Sequence, residues 1–245
     1  MKLHNKIAGL FGYDLIKRGK HPSSSSHIVN LIERCQIDVV LDVGANSGQF
    51  GAMLRKRGYR GEIHSFEPVR ETFEMLQQRA ARDKSWYAYN LALGDERGEK
   101  VINVSASSDL SSFLSPNAFG HEKYADIAVS ATQTVTVERL DDFLPARPAL
   151  FAGKRIFLKM DTQGYDLQVL RGAEGVLDRI QVLLSELSLI PIYAGMPDYL
   201  EALRLYQHYG FSLTGLYPIS RREDFSVIEM DCMFIRGATA ASAQL

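Results

Sequence analysis

The stretch Val39-Val40-Leu41-Asp42-Val43-Gly44-Ala45-Asn46-Ser47-Gly48-Gln49-Phe50 constrains this chain more than any other. Val39 to Val43 is a β-branched, apolar run suited to a central parallel strand buried on both faces. A tight turn of small residues follows, and Gln49 opens a helix. Gly44 and Gly48 let the backbone approach a ligand with no Cβ in the way. Asn46 accepts a left-handed conformation better than most non-glycine residues. Strand, turn and helix in this order place a nucleotide-like ligand at the carboxyl edge of a parallel sheet.

The glycines stand at 44, 48 and 51, which breaks the G-x-G-x-x-G spacing that seats a dinucleotide pyrophosphate. An acid, Asp42, stands two residues before the first glycine. The resulting D-x-G-x-x-x-G pattern suits a cationic ligand better than a diphosphate. S-adenosylmethionine, with a sulfonium and an ammonium and no phosphate, answers to it; a purely structural turn is the alternative.

The length of 245 residues allows one domain, or two, with a sizeable core. A net charge of −1 makes no electrostatic case for a nucleic-acid partner. Cys35 and Cys232 lie far apart in no metal or redox spacing, which suits a reducing, cytoplasmic compartment. No apolar run is long enough to span a bilayer, and no signal peptide is evident.

Residues 1–37 read as an N-terminal helical extension, 38–236 as the main domain and 237–245 as a frayed tail. Ile7 to Arg18 carries Ile7, Leu10, Phe11, Leu15 and Ile16 at helical spacing, with Lys17, Arg18 and Lys20 at its end. This basic cluster is small, so docking on the domain or a partner is expected over a membrane-surface role. Ser23 to Ser26 offers caps for a helix over His27 to Cys35. Further on, Glu62 to Phe66, Trp86 to Leu93, Arg155 to Met160, Gln181 to Leu187, Phe211 to Tyr217 and Val227 to Ile235 read as strands. Helices are predicted over Gln49 to Arg57, Val69 to Arg82, Leu167 to Leu177 and Tyr199 to Tyr209. The alternation breaks between residues 100 and 137, an excursion from the sheet with strands of its own at Lys100 to Val104 and Thr132 to Val137. The fold class is therefore α/β, a doubly wound, mostly parallel sheet.

Ligands in such sheets sit outside the carboxyl ends of the strands, so acids at those ends are candidate site residues. Glu67, fixed in extended geometry by Pro68, can accept both hydroxyls of a ribose. Ala92 and Leu93 end the third strand, either beside an adenine ring or as plain strand termination. Asp161 ends the fourth regular strand, where a carboxylate can bind a metal, take a hydroxyl proton or hold a substrate. Glu186 ends the fifth and can converge on the same mouth. Together Asp161 and Glu186 can hold a divalent ion such as Mg²⁺, although two ligands are a weak metal signal. Asp166 reads as a first-turn helix acid. Among the histidines, His64 reads as a satisfied structural residue, and His121, in a polar loop, is the candidate base.

At these residues the chain resembles the FkbM family of S-adenosylmethionine-dependent methyltransferases. The pieces that carry the resemblance are Leu41 to Phe50, Phe66-Glu67-Pro68, Ala92-Leu93-Gly94-Asp95, Leu158 to Asp166, Val169 to Ala173, and Asp231 in a closing strand. The resemblance implies a seven-stranded sheet with an antiparallel last strand, and O-methylation of a hydroxyl on a sugar, glycan or natural product. It implies that Asp42 and the turn of Gly44, Ala45, Asn46 and Gly48 hold the methionine end, that Glu67 holds the ribose, that Phe50 and Pro68 also belong to the cofactor site, and that Asp161 and Glu186 lie near the acceptor. Substrate selection is expected in residues 103 to 130. A small-molecule or glycan acceptor is the implied partner, and a homo-oligomer stays open. The alternatives are an NAD(P)-dependent oxidoreductase and a non-catalytic protein that binds S-adenosylmethionine.

Overall fold

The computed structural model describes residues 3–13 and 21–237. Helix α1 (Leu3–Leu10) and helix α2 (Ser24–Arg34) precede the sheet. Strand β1 (Val39–Val43) leads into α3 (Gln49–Lys56), β2 (Glu62–Phe66) into α4 (Arg70–Ala80), and β3 (Trp86–Tyr89) follows. The excursion holds β4 (Ala92–Leu93), β5 (Gly98–Ser105), α5 (Ala118–Lys123) and β6 (Val129–Glu138). Short helices α6 (Leu140–Phe143) and α7 (Pro148–Phe151) lead to β7 (Ile156–Met160), α8 (Asp166–Arg171), β8 (Ile180–Ser188), α9 (Tyr199–His208), β9 (Phe211–Arg221) and β10 (Val227–Arg236).

The seven-stranded sheet has the order β3-β2-β1-β7-β8-β10-β9, and only β10 runs antiparallel to its neighbours. β1 pairs in parallel with β2 on one side and β7 on the other. Every residue of β1 and β7 is buried, as expected of central strands covered on both faces. On one face Ile28, Leu31 and Ile32 of α2, Leu54 of α3, and Phe73 and Leu76 of α4 pack on Val40, Ile63, Phe157 and Met233. On the other, Phe143, Phe151, Leu167, Leu170 and Tyr206 pack on Val39, Leu41, Val43 and Leu158. The structure thus realises the expected mostly parallel α/β sheet, including its antiparallel strand. Among the described residues no helix is long and apolar enough to cross a membrane.

Two predicted elements divide. Trp86 to Leu93 is not one strand: β3 stays in the main sheet beside β2, while β4 leaves it and pairs with β6. The Asn90 amide sits at the break and donates to the carbonyls of Glu67 and Pro68, at 3.0 Å each. Leu167 to Leu177 ends as α8 at Arg171 and resumes as a 3-10 turn at Glu174. There the Asp141 N–H takes the carbonyl of Gly172 (2.9 Å), which a continuing helix would have used itself. The excursion is a second sheet of three strands, β4-β6-β5, whose Ile102, Val135 and Val137 pack on Val69 and Ala92. His64 is the structural residue expected. It stacks on Tyr87 with centroids 4.7 Å apart, shares a hydrogen bond with the Tyr89 hydroxyl (3.0 Å), and is lowered by burial to a pKa of about 4. The second half of the predicted Ile7 to Arg18 helix, with its basic cluster, and residues 238–245 lie outside the described residues.

Candidate active site

The turn after β1 is tied to the end of β2, since the N–H groups of Gly44 and Ala45 both donate to the carbonyl of Phe66 (3.1 and 3.0 Å). Asn46 adopts the left-handed conformation expected of it, with φ 47°. That geometry aims its N–H at Glu67 Oε2 (2.9 Å), while Oε1 accepts from the Val69 N–H (2.9 Å). Burial pushes the Glu67 carboxyl up to about 7, with these two backbone donors working against the shift.

Packing within the protein itself requires these glycines to be bare. A Cβ on Gly44 would stand 1.9 Å from the Asp161 carbonyl, so close passage of β1 past β7 excludes one. A Cβ on Gly48 would meet Leu76 and Trp86 at 3.0 Å, so that glycine seats the indole. Gly48 lines neither chamber described below.

Asp42 lies behind the turn. It is fully buried in β1 and faces neither chamber. Strand register sets it beside Ser65 of β2 and Lys159 of β7. Its Oδ2 accepts from Ser65 Oγ (3.1 Å), which in turn accepts from Trp86 Nε1 (3.0 Å); its Oδ1 lies 3.1 Å from Lys159 Nζ. Lys159 also donates to the carbonyls of Gly44 (2.8 Å) and Val43 (3.3 Å) and stands 3.4 Å from Asp161 Oδ2. Burial works to lower the Lys159 pKa, but the Asp42 and Asp161 carboxylates outweigh it and hold the ammonium above its ordinary value. A buried polar line thus runs from β3 to β7 and ends at a site carboxylate. Lys159 was not singled out as a site residue from sequence. The signal for it was a lysine inside an otherwise apolar strand, two residues before an acid.

Two chambers open at the carboxyl edge. The first, about 440 Å³, is lined by Gly44, Asn46, Glu67, Pro68, Ala92, Leu93, Asp161 and Glu186 of the predicted set. Ile102 and the segment Ser108 to Phe113 add a wall and a roof from the excursion, and Tyr124, Ser220 and Glu229 line it as well. The second, about 540 Å³, lies between Ser23 to Ser25 at the start of α2, Ala45, Phe50, Lys159 and Asp231. The two share Gly44, Asn46, Asp109 and Asp161. Between them the Asn46 amide donates to Ser108 Oγ (3.0 Å) and so ties the turn to the roof.

Asp161 and Glu186 come together as predicted, through an unpredicted residue. Gln163 Nε2 donates to Glu186 Oε1 (3.0 Å) and lies 3.4 Å from Asp161 Oδ1. The backbone of Gln163 is left-handed (φ 52°) and is held by Ser112 Oγ, which donates to its carbonyl (2.7 Å); its Oε1 accepts from the Tyr193 hydroxyl (3.0 Å). Burial, with the Asp161, Glu229 and Asp231 carboxylates nearby, raises Glu186 well above the ordinary carboxylate range. Burial and the Asp161 charge likewise raise Asp231 to about 6, against the opposing pull of Lys159. Across the chamber, Glu229 accepts from Tyr124 (2.5 Å) and Ser220 (2.9 Å). Asp166 does open α8, but its carboxylate is buried. It accepts from the Thr162 N–H (2.9 Å) and from Ser185 Oγ (2.6 Å), anchoring the turn after β7 to β8.

His121 lies exposed on α5 and lines neither chamber, so the structure does not bring the predicted base to the site. Among the described residues no group of three or more His, Cys, Asp or Glu is arranged to hold a metal ion. With an amide nitrogen bridging Asp161 and Glu186, this donor set does not fit a divalent cation.

This strand order, with the chambers at the carboxyl edge of β1, β2, β7 and β8, and a methyltransferase family model that matches the sequence together define an S-adenosylmethionine-dependent methyltransferase. The Methyltransferase FkbM domain matches residues 42–213, and the chain belongs to that family. Membership leaves no footing for the oxidoreductase alternative. Similar solved structures include the magnesium protoporphyrin IX methyltransferase of Synechocystis PCC 6803 with bound S-adenosylmethionine, at 10% identity and TM-score 0.47, covering 96% of this chain and 91% of that one. The methyltransferase domain of a bacterial Hen1 is similar at 12% identity and TM-score 0.47, covering 87% and 97%. A precorrin-6y C5,15-methyltransferase from Geobacter metallireducens GS-15 is similar at 8% identity and TM-score 0.44, covering 89% and 92%. No curated protein matches the sequence.

Proposed function

We propose that the protein methylates a hydroxyl oxygen of an uncharged small polyol, a sugar or glycan. The observation that carries this reading is the lining of the first chamber. It holds five carboxylates, Glu67, Asp109, Asp161, Glu186 and Glu229, and no Lys, Arg or His. A phosphorylated or carboxylated acceptor would find acidic neighbours and no cationic side chain to pair with in that lining, whereas the hydroxyls of a neutral polyol find acceptors there.

The residues fit S-adenosylmethionine. Each Glu67 oxygen takes one backbone N–H and keeps a lone pair for a ribose hydroxyl. Val69, Ala92, Leu93, Ile102 and Phe113 give an apolar slot for adenine. Ser23 to Ser25, Asp161 and Asp231 around the second chamber suit the carboxylate and ammonium of the amino-acid tail. When bound, the cofactor supplies an electrophilic methyl group on a sulfonium. The chain's task is then to hold the acceptor oxygen in line and manage its proton. Asp161, half-exposed at the junction of the chambers, takes the hydroxyl proton. Glu186, whose hold on a proton is raised by burial and its acidic neighbours, faces a second acceptor oxygen. Gln163 holds both carboxyls in register.

Calorimetry and an acceptor screen test this. S-adenosylmethionine should bind, and 5′-methylthioadenosine, which lacks the amino-acid tail, should bind more weakly. Glu67→Ala should weaken both. No binding, or unchanged binding in folded Glu67→Ala, overturns the cofactor reading. Neutral sugars and their phosphate esters, followed by S-adenosylhomocysteine release with Mg²⁺ and with chelator, test the acceptor. Preference for the phosphate esters, or turnover abolished by chelator, overturns this account of the chamber.

A further inference from the structure

The excursion and the β9–β10 hairpin meet over the first chamber at three polar side chains. Glu229 of β10 is only 6% exposed, yet it lines the chamber. Its Oε2 accepts from the Tyr124 hydroxyl (2.5 Å) and from Ser220 Oγ (2.9 Å), and Tyr124 also stands 3.0 Å from Ser220 Oγ. Burial and the Glu229 carboxylate raise the Tyr124 pKa, so the phenol keeps its proton and stays a donor. Among the described residues none donates to Glu229 Oε1, and that oxygen is not sealed off from the chamber. Two donors on one oxygen hold the carboxylate still and thereby aim the other oxygen. Register sets how far out it stands. Asp231 lies opposite Glu186, and Glu229 lies opposite Ser188 at the end of β8. Two residues of strand place Glu229 on the same face as Asp231 and about 7 Å further out.

We propose that Glu229 binds a hydroxyl of the acceptor other than the one that is methylated, and so selects which polyols the enzyme takes. The inference rests on the reading of the protein as a polyol methyltransferase. Glu229 Oε1 accepts a charge-assisted hydrogen bond from a ring hydroxyl. An acceptor with hydrogen at that position leaves the buried oxygen without a partner, so the loss exceeds that of one ordinary contact. The subsite thus reads the presence of a hydroxyl and not merely the size of the ring. Tyr124 and Ser220 are positioning residues, since their donors hold Oε2 and act on the acceptor only through Glu229. A link that served only to fasten the excursion to the hairpin would leave no carboxylate oxygen open to the chamber. Neither segment belongs to the β1–β2 wall, so the subsite can change without altering the grip on the cofactor.

Turnover of methyl glycosides of neutral hexoses, and of the monodeoxy analogues of the best acceptor among them, tests it. In the wild type one deoxy analogue should lose at least roughly tenfold in kcat/KM, carried by KM. Glu229→Gln keeps an oxygen for Tyr124 and Ser220 but removes the charge. It should raise KM for the parent glycoside about fivefold, with kcat and the S-adenosylmethionine Kd within about twofold. Glu229→Ala should raise KM at least roughly tenfold and treat the parent and that analogue alike, which a merely structural role would not produce. Should Glu229→Ala not fold, Glu229→Gln carries the comparison, and its discrimination against the analogue should shrink at least roughly threefold. A wild type indifferent to every deoxy analogue, a KM unchanged in the folded Glu229 variants, a fall in kcat at unchanged KM, or discrimination kept in full overturns the inference and leaves the polyol reading standing. Turnover of no glycoside overturns that reading, and this inference with it.

Discussion

The carboxylate at the end of β2 and those at the ends of β7 and β8 are held by different means. Both Glu67 oxygens are fixed by backbone N–H groups, one from the β1 turn and one from the start of α4. Asp161 and Glu186 are fixed by side chains, the Lys159 ammonium and the Gln163 amide, and Gln163 is itself held by Ser112 and Tyr193 from distant segments. A wall made by backbone survives most changes of side chain. A wall made by side chains is re-shaped by single substitutions. The first suits a ligand shared by a whole class of enzymes, and the second suits an acceptor particular to one of them.

The largest expected effect falls on the polar line that joins the two walls. Lys159→Met strands the Asp42 carboxylate in the core and should cost about 3–5 kcal/mol of stability by urea denaturation. Adding Asp42→Asn should restore part of it. An unchanged midpoint would show that the line does not tie the walls together.

Glu67→Ala should weaken S-adenosylmethionine binding by about 2–3 kcal/mol in calorimetry, since it removes a charged acceptor. Glu67 also sets a pH dependence. Its carboxyl is raised by burial from 4.5 to about 7, so between these values the folded chain keeps a proton that the unfolded chain has released. Stability of the free protein should therefore fall as pH rises across that window and level off above it, and Glu67→Gln should flatten the curve. Thermal melting from acid to neutral pH checks the sign.

Gln163→Leu should act on the acceptor wall alone. It should lower kcat by about 10- to 100-fold, or about 1.4–2.7 kcal/mol, and leave the cofactor Kd within about twofold. A matching loss of cofactor affinity would erase the distinction between the walls. The smallest effect belongs to Asn46. Asn46→Val should cost about 1–2 kcal/mol for its left-handed backbone, whereas Asn46→Gly should stay within about 0.5 kcal/mol.

Much of the first wall could be read from sequence. An apolar run, a turn of small residues and a Glu-Pro pair at a strand end are local signals, and Asn46 proved left-handed for the local reason expected. The second wall was half legible. Asp161 and Glu186 were found because strand ends converge in a parallel sheet. Gln163, Tyr124, Ser220 and Glu229 were missed because each depends on a partner far off in the chain: 30 residues between Gln163 and Tyr193, and 105 between Tyr124 and Glu229. His121, read from sequence as part of a polar loop, stands on the short helix α5 outside both chambers; six residues carry too little periodicity to say which way it faces.

The opening stretch shows where the line falls. By itself the sequence determined that Val39 to Val43 is a central strand, that a turn follows it, and that acids cluster at one edge of the sheet. These follow from the period, branching and size of neighbouring residues. Only the tertiary structure decided what the conspicuous residues are for. Gly44 is bare because Asp161 passes it, Gly48 because Trp86 lies on it, and Asp42 faces Ser65 and Lys159. Those assignments depend on strand register, which pairs residues more than a hundred positions apart and is settled by the packing of the whole sheet.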